Sequence, residues 1–220
     1  MRSCESLNLS INQRPVLNNI SCQIKPGEIV VVCGDHESGK SALLQALAGN
    51  IKACRPQVFQ SGQALAAEPA QVVLSQHSSR TADQTVSDMI ETLDHVAEFE
   101  IEGLWHRPIR TLSRGERRWV ELALTWTQIR QAPDISMLLL DEPLQGLDQH
   151  RRALILNLIK QSKSEGMAVL IALNDLVVAK QIADRVLLLK SGNILAQGPP
   201  DQLLTPALLQ ATFETDVLSG

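Results

Sequence analysis

The eight residues Gly34-Asp35-His36-Glu37-Ser38-Gly39-Lys40-Ser41 leave this chain little freedom in how it folds. They fit the pattern G-x-x-x-x-G-K-[S/T], which carries physical meaning only where the loop leaves a buried strand and opens into a helix. Both flanks are present. Glu28 to Cys33 has a Val30-Val31-Val32 centre suited to a strand buried on both faces, and Ser41 to about Ala48 reads as a helix ended by Gly49. A loop so placed turns its backbone N–H groups and the positive end of the helix toward a polyphosphate. Lys40 would neutralise the β and γ oxygens, and the Ser41 hydroxyl would ligate Mg2+. The expected ligands are a nucleoside triphosphate and Mg2+. Glu37 sits uneasily in such a cradle, because a carboxylate aimed at a triphosphate is repelled. Its side chain is expected to face solvent or a neighbouring cation while its backbone serves the loop.

A phosphate loop also needs carboxylates for Mg2+ and water. Met137 to Leu140 reads as an apolar strand that ends in Asp141-Glu142. Asp141 would hold the Mg2+ shell, and Glu142 would polarise the attacking water. Taken alone, the pair fits an ordinary helix cap after a buried strand equally well; the phosphate loop is what favours the catalytic reading.

The remainder of the chain has a clear rhythm. Leu7 to Ile11 and Val16 to Ile24 alternate apolar and polar residues on either side of Asn12-Gln13-Arg14-Pro15, which predicts a hairpin. Lys52 to Leu74 reads as short strands and loops. Val86, Met89, Ile90, Leu93 and Val96 have helical spacing over Thr85 to about Phe99, with Thr85 or Ser87 as cap, and a second helix is expected over Gly115–Gln131. After Met137–Leu140 come helix Gln149–Ser164, strand Ala168–Leu173, helix Asp175–Ala183 and strand Val186–Lys190. That alternation means a parallel sheet with helices on its faces. A hairpin through Ser191-Gly192-Asn193 into Ile194–Ala196 and a helical tail from about Pro200 complete the chain.

Composition narrows the function further. A net charge of −4, 3% aromatic residues and no tyrosine argue against a nucleic-acid partner. The four cysteines, Cys4, Cys22, Cys33 and Cys54, form no zinc or disulfide pattern. No apolar run approaches the roughly 20 residues of a membrane span. The N-terminal MRSCESLNLS has no secretion-signal core, so a cytosolic chain is expected.

Between the two phosphate-site segments lies Leu112-Ser113-Arg114-Gly115-Glu116, followed by an amphipathic helix. This resembles the LSGGQ signature of the ATP-binding cassette (ABC) ATPases, and the order of motifs is that family's order. The resemblance implies an α/β fold: a P-loop NTPase (RecA-like) parallel-sheet core with an antiparallel β lobe and an inserted α-helical subdomain. Residues 1–220 would be one nucleotide-binding domain, with the helical subdomain at about 77–125. Ser113, the Gly115 amide and the following helix N-terminus make physical sense as a second anion site. By resemblance that site serves the ATP of a partner subunit, so two chains would close head to tail as a C2 dimer with a second copy or a paralogue. Gln76, ending VVLSQ, looks like the glutamine loop that senses Mg2+ and couples to integral-membrane permease subunits. Asp148, in PLQGLD, looks like the D-loop. Such a subunit works on the inner face of the cell membrane, held there by its permease. The segments WVELALTWTQIRQAP and ADRVLLLKSGNILAQGPPDQLLTPALLQATF resemble importer ATPases for vitamin B12, haem and iron–siderophores.

The chain departs from the family pattern at four positions. Ile11 stands where an aromatic often stacks on adenine, so base recognition is expected to be weaker. Arg114 replaces a signature glycine, a change phosphate tolerates electrostatically. Asn174, in VLIALNDL, occupies the place of the switch histidine; its amide can reach a phosphate but cannot take a proton. Glu37 stands where glycine is usual. The Lys52–Gln76 segment also looks short, which suggests a trimmed antiparallel lobe. The leading expectation is an ATP-hydrolysing subunit that drives a membrane transporter. The alternative is a nucleotide-gated, weakly hydrolysing subunit paired with a catalytic paralogue.

Overall fold

The computed structural model describes residues 1–51, 54, 58–60, 63–64, 72–74, 84–90, 93–131 and 135–213. Its frame is a six-stranded sheet of order β10-β9-β3-β8-β7-β6, formed by β3 (Ile29–Gly34), β6 (Val72–Leu74), β7 (Met137–Asp141), β8 (Ala168–Ala172), β9 (Arg185–Lys190) and β10 (Asn193–Gly198). Within it β3 runs parallel to both β8 and β9, β7 runs parallel to β6 and β8, and only β10 is antiparallel, at the edge. Every residue of β3, β7 and β8 is buried, as their continuous apolar runs require of strands covered on both faces.

Alternate residues of these strands feed two cores. Val31, Leu138, Leu140, Val169 and Ile171 pack with α2 (Arg114–Gln131), α3 (Gln149–Ser164) and α4 (Leu176–Ile182). Val30, Val32, Leu139, Leu170 and Ala172 pack with α1 (Lys40–Leu47) and a second sheet. That second sheet is antiparallel, of order β2-β1-β4-β5, from β1 (Arg2–Ile11), β2 (Arg14–Ile24), β4 (Val58–Gln60) and β5 (Gln63–Ala64). Asn12 and Gln13, at φ 50° and 63°, make the tight turn between β1 and β2, a conformation that matches the twist of a two-residue hairpin. Two short helices, α5 (Pro200–Leu203) and α6 (Pro206–Phe213), close the described chain.

One expected helix does not form. Over 85–99 the described residues give a turn and a 3-10 segment, Leu93–Phe99, broken at Val96. Thr85 does cap Asp88, since its Oγ1 lies 3.3 Å from the Asp88 N–H and its own N–H donates to the Asp88 carboxylate at 2.7 Å. The turn does not propagate because its neighbours are committed elsewhere. Thr85 bridges Pro108, Val86 N–H donates to Arg107 O and Ser87 N–H to Trp105 O. The apolar spacing of Val86, Ile90 and Val96 is real, and all three are buried against α2, but a pattern of side chains does not decide where the backbone amides bond.

Candidate functional site

The loop Asp35–Gly39 runs from the C-terminal end of β3 into α1, at the edge where parallel strands present their C-termini. Gly34 is required by packing. A Cβ there would lie 2.2 Å from Leu189 O and 2.6 Å from Ser38 Oγ. Gly39, at φ 104°, starts α1 with no side-chain cap, and a Cβ would meet Val16 O at 2.9 Å. The loop's back is tied to the β9–β10 turn, where Gly192 N–H donates to Ser38 O at 2.9 Å. Glu37 takes the left-handed conformation, φ 62°, and its side chain is exposed. Glycine is usual at such a place for its backbone freedom, and here a carboxylate-bearing residue adopts that conformation with its side chain in solvent.

Lys40 is buried, and its Nζ donates to Gly34 O at 2.7 Å and Asp35 O at 2.8 Å. Burial lowers its pKa, with Glu142 and then Asp141 pulling it back. Those two carboxylates therefore stand close enough to sense the ammonium. Asp141 ends β7, buried. Glu142 follows in the left-handed region, φ 47°, with its N–H bonded to Ala172 O at 3.1 Å. Burial raises the Glu142 pKa, opposed by Lys40 and by the Asn174 backbone N–H that faces it. One Glu142 oxygen, Oε1, is buried without a hydrogen-bond partner among the described residues, as is Ser38 Oγ. Buried polar atoms so left are costly unless a ligand or water meets them, so this corner fits a polar, phosphate-bearing guest and its hydrated cation.

A second helix start lies nearby. Ser113 N–H donates to Glu116 Oε2 at 2.7 Å and Glu116 N–H to Ser113 Oγ at 3.2 Å, a reciprocal capping box at the head of α2. Arg107 holds the Glu116 carboxylate at 2.7 Å. The Ser113 hydrogen bonds and Arg107 together keep the Glu116 pKa below the usual carboxylate value. Gly115 faces Gly146 O, 3.7 Å from its notional Cβ, so α2 abuts the turn that leads into α3. Between them lies a cleft of about 700 Å³, lined among the described residues by Arg114, Gly115, Arg117, Arg118, Glu121, Gln145 and Gly146. Asp148 caps α3 by accepting from Arg151 N–H at 2.9 Å, and the Arg151 guanidinium stacks over Trp119 of α2 at 5.0 Å.

Comparison with known proteins settles what this arrangement belongs to. A family model described as ABC transporter matches residues 17–145. The chain belongs to the ABC transporter family. A hemin import ATP-binding protein HmuV from Shewanella denitrificans is 31% identical, over 98% of this chain and 94% of its own length. Its namesake from Pseudomonas entomophila is 34% identical, over 99% and 94%. In fold, the chain is similar to a solved ATP binding subunit of an ABC transporter, with TM-score 0.80 at 18% identity over 97% of this chain and 96% of that one. A nucleotide-free ATP-binding cassette from an ABC transporter gives 0.74 at 19%, over 98% and 96%. The fold class read from the sequence stands, and the chain is an ATP-binding ATPase of this family.

Within this ABC ATPase the structure gathers the residues singled out from the sequence unevenly. Gly34 to Ser41, Asp141, Glu142 and the Asn174 backbone converge at the C-terminal ends of β3, β7 and β8, while the Asn174 side chain is exposed. Leu112 to Glu116 and Asp148 form the heads of α2 and α3. Ile11 is 49% exposed at the hairpin tip, opposite Arg14. Gln76 lies outside the described residues. Sequence reasoning missed Arg118, which reaches from α2 to the carbonyls of Asp141 and Glu142. It also missed Gly192, which braces the phosphate loop. Neither has a local signal, because both bond to backbone far away in the chain.

Proposed function

We propose that the chain is the ATPase subunit of an importer for haem or a closely related iron-bearing or corrinoid compound, hydrolysing ATP with Glu142 as the general base. The observation that carries the hydrolytic part is the convergence of a buried Lys40 with a half-buried Glu142 whose Oε1 is buried without a partner among the described residues and whose pKa is raised. A base with a raised pKa accepts a proton from water more readily than an exposed carboxylate does. The cargo follows from the relatives, which are named as hemin import proteins over nearly their whole length.

In this reading the loop amides from Gly34 to Ser41 and the Lys40 ammonium grip the ATP phosphates, and Ile11 lies beside the base. Ser41, Asp141 and Gln76 would hold Mg2+, which supplies positive charge to the phosphate oxygens. Glu142 takes the proton of the attacking water, and Asn174 orients the γ-phosphate side. Ser113, Arg114, Gly115 and Glu116, with Leu112 packed beneath, serve the ATP of a second chain in a head-to-tail dimer. Asp148 lies at the junction. The chain is one nucleotide-binding domain, with about 77–125 as its helical subdomain, bound to the inner membrane face through permease subunits. No described helix is long and apolar enough to cross a membrane, and in this reading the permease subunits supply the path for cargo.

The test is uptake of hemin into vesicles that carry the permease and this chain. ATP-dependent uptake that Glu142→Gln abolishes is expected, with hydrolysis reduced about 10²–10⁴-fold and nucleotide binding kept. ATP hydrolysis that no hemin, corrinoid or siderophore stimulates would remove the cargo reading, and a hydrolytically competent Glu142→Gln would remove the base.

A further inference from the structure

Glu142 occupies an unfavourable conformation, and the structure shows what holds it there. A non-glycine residue at φ 47° is strained and persists only where its surroundings over-determine it. On one side the Glu142 N–H bonds to Ala172 O in β8 at 3.1 Å. On the other its carbonyl accepts from Gln145 N–H at 3.2 Å and from Arg118 Nη2 at 3.1 Å. The same Nη2 donates to Asp141 O at 2.6 Å, so one guanidinium spans two consecutive carbonyls at the end of β7. Arg118 is a costly residue to place there. Its side chain is 11% exposed, its Nη1 is buried without a hydrogen bond among the described residues, and its nearest carboxylate, Glu121, is 3.6 Å away on its own helix. Burial of that charge lowers the Arg118 pKa. A buried guanidinium spent on main-chain oxygens, rather than on either catalytic carboxylate, fixes backbone position and leaves the Asp141 and Glu142 side chains to the ligand.

Arg118 also lies little more than one turn beyond Ser113, the cap of α2, whose head is proposed above to meet the ATP of a second chain. We infer that Arg118 is a positioning residue that holds Glu142 in its hydrolytic geometry and makes that geometry depend on where the head of α2 sits. Nucleotide gripped by Ser113 and Gly115 would thereby be felt, through one rigid side chain, at the base of the same chain. This rests on Glu142 being the general base, and the experiment keeps the two ideas apart.

Arg118→Met and Arg118→Lys are compared with wild type and with Glu142→Gln in Mg2+-dependent ATP hydrolysis by the full chain, with fluorescent-nucleotide binding and Tm alongside. Arg118→Met/Glu121→Gln accompanies them, so that Glu121 is not left charged beside a missing cation. Arg118→Met is expected to lower kcat about ten- to a hundred-fold, the scale of a catalytic group misplaced by an ångström. KM, nucleotide affinity and Tm should stay near wild type. Arg118→Lys should lie between, because an ammonium cannot reproduce the planar fork. In a double-mutant cycle, Ser113→Ala and Arg118→Met should lose less kcat together than the product of their separate losses. Unchanged kcat in both Arg118→Met variants, or kcat, affinity and Tm falling together, overturns the positioning role. Additive losses overturn the dependence on α2. If Glu142→Gln keeps turnover, the base reading falls and takes this inference with it; if only Arg118→Met keeps turnover, the base stands and the inference alone falls.

Discussion

The heads of α1 and α2 make an instructive pair. Both are helix N-termini beside a glycine, and both are assigned to phosphate, yet they are finished in opposite ways. The α1 head starts at a left-handed Gly39 with no side-chain cap and no acidic residue in its first turn. Its open amides and macrodipole are available to an anion, and Lys40 adds a full charge. The α2 head is closed by its own Ser113–Glu116 box, with Arg107 locking the carboxylate. It is stable without a ligand, but a negative side chain already occupies part of its field. In the proposed mechanism the first head needs a phosphate, whereas the second is stable without one and meets a phosphate that another chain presents.

Several substitutions would break or sharpen this contrast. The largest effect belongs to Lys40→Met, which removes the buried cation at the open head. Nucleotide affinity should fall about a hundred-fold, from the loss of charge-assisted bonds worth about 3 kcal/mol, measured by fluorescent-nucleotide titration. An unchanged affinity would mean that backbone amides alone hold the ligand. Ser113→Ala comes next. Loss of the cap should cost about 1 kcal/mol and lower Tm by roughly 2–4 °C, with affinity of the isolated chain for nucleotide unaffected.

Acid should separate the two heads as well. The folded Glu116 pKa is depressed, so its contribution to stability is fully present above the ordinary value of 4.5 and is lost as pH falls through the lower folded value. Amide exchange at the start of α2 should quicken across that window in wild type and show no such step in Glu116→Gln. The smallest effect is expected from Glu37→Gly. ATP affinity should stay within about two-fold, and stability should rise by about 0.5 kcal/mol as left-handed strain is relieved against the entropy of glycine. A loss of binding there would give the carboxylate a structural part in the open head.

The parallel core was legible because β3, β7 and β8 are covered on both faces, so their runs of Val, Ile and Leu cannot be mistaken for half-exposed strands. The loop was legible because Gly34, Gly39, Lys40 and Ser41 stand in one contiguous G-x-x-x-x-G-K-[S/T] run between a buried strand and a helix. What the sequence concealed was settled by distant backbone partners. The 85–99 region carries a helical stripe, yet Trp105, Arg107 and Pro108 claim its amides. Arg118 reads as one more charge on an amphipathic helix until its carbonyl partners, more than twenty residues on, are known. Glu116 belongs to the signature-like segment, and its capping of Ser113 follows the S-x-x-E spacing that could have revealed it.

The brace between Gly192 and Ser38 has a consequence for how the chain is made. The strand that delivers the phosphate loop, β3, has as its sheet neighbours only β8 and β9, and the loop's back is secured by the turn after β9. These leave the ribosome about 130 to 150 residues after the loop itself, roughly 10–30 s later at ordinary elongation rates. During that interval the nascent chain carries a complete nucleotide motif without the sheet neighbours of its strand or the brace at its back. Nucleotide is therefore expected to bind late, stabilising a chain that is nearly finished rather than guiding its early folding.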